Sequence, residues 1–169
     1  PRYTIRMVFS MELYGFAALT RAMRRPNHNA VLLADIVINT TVATETGGTY
    51  LWESIVGDPT HGNGGGYAGT FDGNGYSISG IYMTSDSFGM STNFGFFGAI
   101  NNEGVVKNLV LKNSVFLSTG SIAVFAHNHY GMVSACRVES SVILKNEISG
   151  TRVSGVASIK RLAQNGNTY

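Results

Sequence analysis

Residues 69–83 read Gly69-Thr70-Phe71-Asp72-Gly73-Asn74-Gly75-Tyr76-Ser77-Ile78-Ser79-Gly80-Ile81-Tyr82-Met83. Asp-Gly and Asn-Gly supply the positive-φ positions that a sharp corner needs, so the segment reads as strand, corner, strand. Beyond the corner the apolar residues are Ile78, Ile81 and Met83, spaced i, i+3, i+5. A regular strand with one buried face would give i, i+2, i+4. The extra residue predicts a bend between two short strands that both turn their apolar side chains inward.

Working outward, the triplet recurs. Val106, Leu109 and Leu111 lie 28 residues later, and Val133, Cys136 and Val138 a further 27. Leu33, Ile36 and Ile38 fit 45 residues upstream. Val115 and Leu117 match Val142 and Leu144 at an offset of 27, and Phe96-Phe97-Gly98 matches Val124-Phe125-Ala126 at 28. A fixed period of this size is the mark of a stacked repeat. Because its content is strand-like, each period is expected to be one coil of an all-β, single-stranded parallel β-helix. About four coils are expected, with the twelve triplet residues forming a core ladder.

Composition agrees. The 169 residues fit one domain or part of one, and 44% are hydrophobic. Charged residues are only 13%, about half the usual ~25%. The net charge of +2 is too small to point to nucleic acid, and no apolar run is long enough to span a membrane as a helix. A single cysteine, Cys136, excludes an internal disulfide and is read as a small buried hydrophobe of the ladder.

The flanks read differently. Residues 1–29 are expected to hold a short strand and an amphipathic helix. Ser10 is its cap, Leu13, Phe16, Leu19 and Met23 are its stripe, and Pro26 is its stop. Such a helix would cover the N-terminal end of the ladder, whose open strand edge otherwise recruits other strands. Residues 30–169 are assigned to the β-helix. Tyr50 to Ile55 is expected to contain a short strand within a break in the period. The last segment, Val153 to Tyr169, starts like a further coil, with Val156-Ala157 as its matching pair, but no apolar triplet follows the Asn165-Gly166-Asn167 turn. The expectation is a solenoid continued by more of the same chain, by another copy or by another molecule.

No constellation of catalytic residues emerges. Asp35 and Asp72 are the acids in regular repeat positions; both sit at corners, where an aspartate side chain bonds nearby backbone N–H groups. With Gly73, Asn74, Gly75 and Asn108 they form the expected set of corner residues. Ser114 and Ser141, one period apart, are expected to stack. No ladder of acids recurs at the repeat offset, as a glycoside hydrolase would need. His127 and His129 would share a strand face but have no carboxylate or thiol in step with them, so no metal site and no cofactor is assigned. The remaining handle is a set of tyrosines, Tyr50, Tyr67, Tyr76, Tyr82 and Tyr130, of which Tyr82 is the candidate glycan contact.

Several stretches carry a family resemblance. They are Leu13-Tyr14-Gly15-Phe16-Ala17, Ala30-Val31-Leu32-Leu33-Ala34-Asp35-Ile36, Trp52-Glu53-Ser54-Ile55-Val56-Gly57, residues 67–80, Phe96-Phe97-Gly98 and Val106-Lys107-Asn108-Leu109-Val110-Leu111. In this order they resemble the repeats of bacterial surface proteins that carry the GLUG motif, which also occur beside the catalytic region of some IgA-cleaving metalloproteases. The motif's Gly-Leu is Gly95-Phe96 in one coil and Ala123-Val124 in the next. The resemblance implies a right-handed parallel β-helix in a secreted or cell-surface protein, with no catalytic residues in this region. The function expected is that of a non-enzymatic stalk, adhesin or filament-forming module that meets a host surface protein or a glycan; the alternatives are a carbohydrate-binding or carbohydrate-active β-helix domain, or an accessory domain of an IgA-protease-type metalloprotease.

Overall fold

In a computed structural model of the chain, the described residues are 4–7, 29–40, 66–84, 95–118, 123–139, 141–146 and 152–154. They contain strands and turns and no helix. The strands are β1 (Thr4–Met7), β2 (Asn29–Leu32), β3 (Ile36–Val37), β4 (Thr70–Asp72), β5 (Ser77–Ser79) and β6 (Tyr82–Thr84). They continue with β7 (Phe97–Ile100), β8 (Val105–Lys107), β9 (Val110–Lys112), β10 (Val115–Ser118) and β11 (Ala126–His129). The last are β12 (Met132–Ser134), β13 (Arg137–Val138), β14 (Ile143–Asn146) and β15 (Arg152–Ser154). The expected helix after Ser10, the strand within Tyr50 to Ile55 and the Val156-Ala157 pair of the last coil lie outside the described residues.

From β3 to β13 no strand pairs with its neighbour in sequence; each pairs with the equivalent strand one pass earlier or later. The first sheet runs β1-β2-β4-β8-β12, the second β3-β5-β9-β13, the third β6-β10-β14-β15 and the fourth β7-β11. Every pairing is parallel except the last, β14 with β15. Consecutive strands therefore step from sheet to sheet, and the chain returns to the first sheet one strand further along. The all-β arrangement of parallel strands in stacked sheets is compatible with a β-solenoid.

Register fixes which side chains face the core. In the first sheet Ala30, Phe71, Val106 and Val133 stand in one column. In the second the column is Ile36, Ile78, Leu111 and Val138, and in the third it is Met83, Phe116 and Leu144. Ile38, Ile81 and Leu109 are fully buried between these columns. Aromatic rings fill the widest part of the interior. Phe96 and Phe97 meet edge to face at 5.1 Å, Phe71 is edge-on to both, and Tyr67 lies 5.0 Å from Phe97. Burial pushes the Tyr67 phenol far above its ordinary pKa.

Several expected offsets are corrected by this register. Val106 does lie over Val133, and Leu111 over Val138. The Arg137 N–H donates to Leu109 O, which places Leu109 against Cys136. Ile81 does not join them: its amide meets Ser114, while Ile78 lies under Leu111. The cause is corner length. Four residues separate Asp72 from Ser77, and two separate the paired residues Lys107 and Val110. Leu33 is not in the ladder either. It is 36% exposed, and its neighbour Leu32 is the one fully buried. Val115 pairs with Ile143, not Val142, and Phe97 with Ala126, not Phe125. A slip of one residue exchanges the two faces of a strand, so Phe116 faces inward and Val115 outward. Finally, Arg152–Ser154 does not begin a parallel coil; it doubles back against β14.

Two passes come close together at Gly80. Its φ of +75° favours glycine, and a Cβ there would collide with the Asn39 backbone oxygen and nitrogen. Asn39 also donates from Nδ2 to Gly80 O at 2.7 Å. Gly80→Ala is expected to lower unfolding free energy by about 3 kcal/mol or more, since conformation and sterics both oppose it. Urea titration followed by circular dichroism would read this as a lower midpoint with an unchanged slope.

Candidate functional site

The polar residues of the repeats gather at the two corners that flank the second sheet. At the first, the column of positive-φ residues is Asn74 (52°) and Gly75 (81°), Asn108 (52°) and Ala135 (50°). Gly73-Asn74-Gly75-Tyr76 is a turn with two consecutive positive φ angles, closed by Tyr76 N–H donating to Gly73 O at 2.8 Å. At the second corner Gly80 (75°) and Asn113 (45°) share the conformation, and Gly80 N–H donates to Asn113 O.

Asp72 is the hub of the first corner. Its Oδ1 accepts from Asn74 N at 2.8 Å within the turn and from Asn108 Nδ2 at 3.0 Å on the next pass. Its Oδ2 lies 3.2 Å from Lys107 Nζ. Partial burial would raise the carboxyl's pKa, but the bonds from Asn108, Asn74 and Lys107 outweigh it and hold the pKa below the usual value. Asp35, one pass earlier, bonds across the stack and not to its own turn. Its Oδ1 accepts from both Ser77 N at 2.7 Å and Ser77 Oγ at 2.8 Å. The Ser77 backbone bond is the main cause of its lowered pKa; the Ser77 hydroxyl and Lys112, 4.0 Å away, add to it. Asn29, Asn74 and Ser114 make three more bonds between passes: Asn29 Oδ1 accepts from Thr70 N, Asn74 Nδ2 donates to Leu32 O, and Ser114 Oγ accepts from Ile81 N. Ser141 does not stack on Ser114. Its hydroxyl accepts from Asn113 N, because the second corner holds one residue more between Val138 and Ile143 than between Leu111 and Val115.

Every expected corner residue therefore takes part in, or directly adjoins, one network that fastens pass to pass. Its acids are spent on backbone N–H groups, an amide, a hydroxyl and two lysines. Among the described residues no three His, Cys, Asp or Glu side chains come together as metal ligands. The backbone places His127 and His129 two apart on β11. Cys136 is half-buried, its thiol bonded to Ser134 O and Val106 O, and desolvation raises its pKa away from the reactive thiolate.

Tyr82 faces outward, but its ring is half-buried against Val115 and Leu117. Tyr67, another candidate surface aromatic, is buried; Tyr76 and Tyr130 are exposed.

Known protein families, curated proteins and solved structures offered no match to the chain.

The sequence predicts an end open to continuation but does not place it at β12, the last strand of its sheet among the described residues. Met132 N–H donates to Gly104 O, and Ser134 O accepts from Asn108 N. By the alternation of a parallel ladder, the N–H and C=O of Val133 between them point away from β8. Among the described residues β12 is the last strand of its sheet. Burial falls along the columns towards this edge: Val106 and Leu109 are fully buried, whereas Val133 and Cys136 are only partly so. Met132 is 53% and Tyr130 72% exposed beside them. In the third sheet, by contrast, β15 lies over β14, and Leu144 and Val142 are fully buried. The signal of the β12 edge in the sequence is the position of Met132 and Val133 within a repeat.

Two predictions follow from this geometry. Both aspartates have depressed pKa values when folded, so each stabilises the fold above the ordinary aspartate value of about 4. That stability is lost as pH falls through the lower folded values. Urea midpoints are expected to drop on acidification below about pH 5, and less steeply in Asp72→Asn. Ala135 holds a left-handed conformation without glycine's freedom or asparagine's side-chain bond. Ala135→Gly and Ala135→Asn are each expected to raise the unfolding free energy by about 0.5–1 kcal/mol, as a higher thermal midpoint.

Proposed function

We propose that the chain is a non-enzymatic structural module, a right-handed parallel β-helix of about four coils that serves as stalk, adhesin or filament element. In this reading the segment before Asn29 caps the N-terminal end with a helix. The observation that carries the proposal is the partly apolar edge of β12, against which no further strand pairs among the described residues. Soluble proteins usually blunt such an edge with lysine, proline or a bulge, and β12 carries none of the three. A surface built this way is suited to receiving another strand in parallel. The corner chemistry supports the same reading, since its carboxylates fasten passes together and none is left for acid–base work. The resemblance of residues 67–80 and their neighbours to GLUG repeats supports a secreted or bacterial cell-surface setting. There the incoming strand belongs to a further coil or another copy, and a host protein or glycan binds along the flank.

The test is end-to-end association. Sedimentation velocity across a concentration series is expected to show growing species for the native chain. Met132→Lys together with Ser134→Lys, both on the outward face of β12, should leave it monomeric with an unchanged circular dichroism spectrum. A native chain that stays monomeric throughout, or a doubly substituted chain that associates equally well, overturns the proposal.

A further inference from the structure

Asn74-Gly75 is the dipeptide most prone to spontaneous deamidation, and it sits at an exposed corner. The reaction needs the Gly75 backbone nitrogen to attack Asn74 Cγ. That bond forms as the Cγ–Nδ2 bond breaks, and Nδ2 leaves as ammonia, taking the backbone proton. Water then opens the cyclic imide at either carbonyl. The net change replaces an amide NH2 by OH and leaves aspartate or isoaspartate at this position.

Local space does not oppose the attack, for nothing lies within 4 Å of the position a Cβ on Gly75 would take. The hydrogen bonds do. Gly75 N–H donates to Asn108 O at 2.9 Å, which ties the nucleophile to the following pass. Asn74 Nδ2 donates to Leu32 O at 3.3 Å, which ties the leaving group to the preceding pass. The Asn74 N–H is bound as well, to Asp72 Oδ1. The attacking and attacked atoms are thus held by opposite neighbours in the stack.

We propose that Asn74 is a deamidation site closed by stacking, which reacts only when the corner parts from the passes on either side. Reaction is then a one-way latch. The product has no amide to donate to Leu32 O, and it places a second carboxylate beside Asp72. The isoaspartate form also lengthens the backbone by one carbon inside a turn whose angles are matched to Asn108. A chain that has reacted restacks poorly.

The native chain would be incubated at mildly alkaline pH, folded and in denaturing urea. Peptide mass spectrometry would follow residues 72–77, and an isoaspartyl methyltransferase assay would count isoaspartate. The folded chain is expected to react at least about tenfold more slowly than the unfolded one, in proportion to the rarity of corner opening. Asn108→Val, in which a β-branched residue disfavours the left-handed angle, should speed the reaction under folding conditions. Chain aged in urea and then refolded should show isoaspartate enriched in its least stable fraction. Equal folded and unfolded rates, or no reaction at this position in urea, overturn the proposal. The comparison within the native sequence stands whether or not the Asn108 variant folds.

Discussion

Each pass of this chain must return to its starting point displaced by one strand spacing, about 4.8 Å. All else in the structure answers to that constraint. The main-chain ladder accepts no other displacement, yet the passes differ in length. The excess has to be absorbed where no ladder bond is broken, and that is at the corners. The pass through Asp72 and Ser77 carries two residues more between the first and second sheets than the pass through Lys107 and Val110, and it stores them as a tight turn at Asn74-Gly75. Without the turn, Phe71 and Ile78 could not both be in register with Val106 and Leu111. The positive-φ residues at the corners are therefore part of the core's geometry, although their own side chains are on the surface.

Corners made this way leave polar groups between passes, and the side chains chosen there close them. Asp72 bonds one amide in its own turn and one side chain on the next pass; Asp35 bonds Ser77 twice. Each bond is worth about 1 kcal/mol net, and a missing partner would cost more than that. The lysines reinforce the same contacts but are substantially exposed, so their ion pairs add little. Stacking is thus fastened twice, by apolar columns inside and by a short polar seam outside. The seam is what makes the register specific, because an apolar column tolerates a slip that a bidentate serine–aspartate contact does not.

How much of this was legible in the sequence depends on the distance between landmarks. The all-β class, the inward triplets of the third and fourth passes, and the corner at residues 72–75 follow from local patterns, because turn chemistry and apolar spacing act over a few residues. The match between the second and third passes was misread, since Ile78, Ile81 and Met83 share a spacing with Val106, Leu109 and Leu111 that corner length turns into coincidence. Spacing is a property of one strand, whereas register is a property of two. Leu33 illustrates the limit: Leu32 and Leu33 are equivalent to any hydrophobicity argument, and only the pairing of Ala30 with Phe71 decides that the first of them is inside. Sequence also gave no reason to expect β15 to reverse.

That reversal matters for how the stack ends. A strand added in parallel needs a full pass around the other sheets to reach its place; an antiparallel strand needs only a short return. By turning back at once, β15 covers β14 and the column ending in Leu144 with little chain. In the first sheet the described column ends in the half-covered Val133. Among the described residues one end of the stack is thus covered by a further strand over the third sheet and not over the first. An edge in the third sheet would meet a strand that is already paired. An edge in the first offers backbone groups, a shallow apolar step at Val133 and Cys136, and Ala135 where earlier passes place Asn108 or Asn74. A strand that continues this sheet therefore has its chemistry prescribed: parallel, apolar opposite Val133, and glycine or asparagine opposite Ala135.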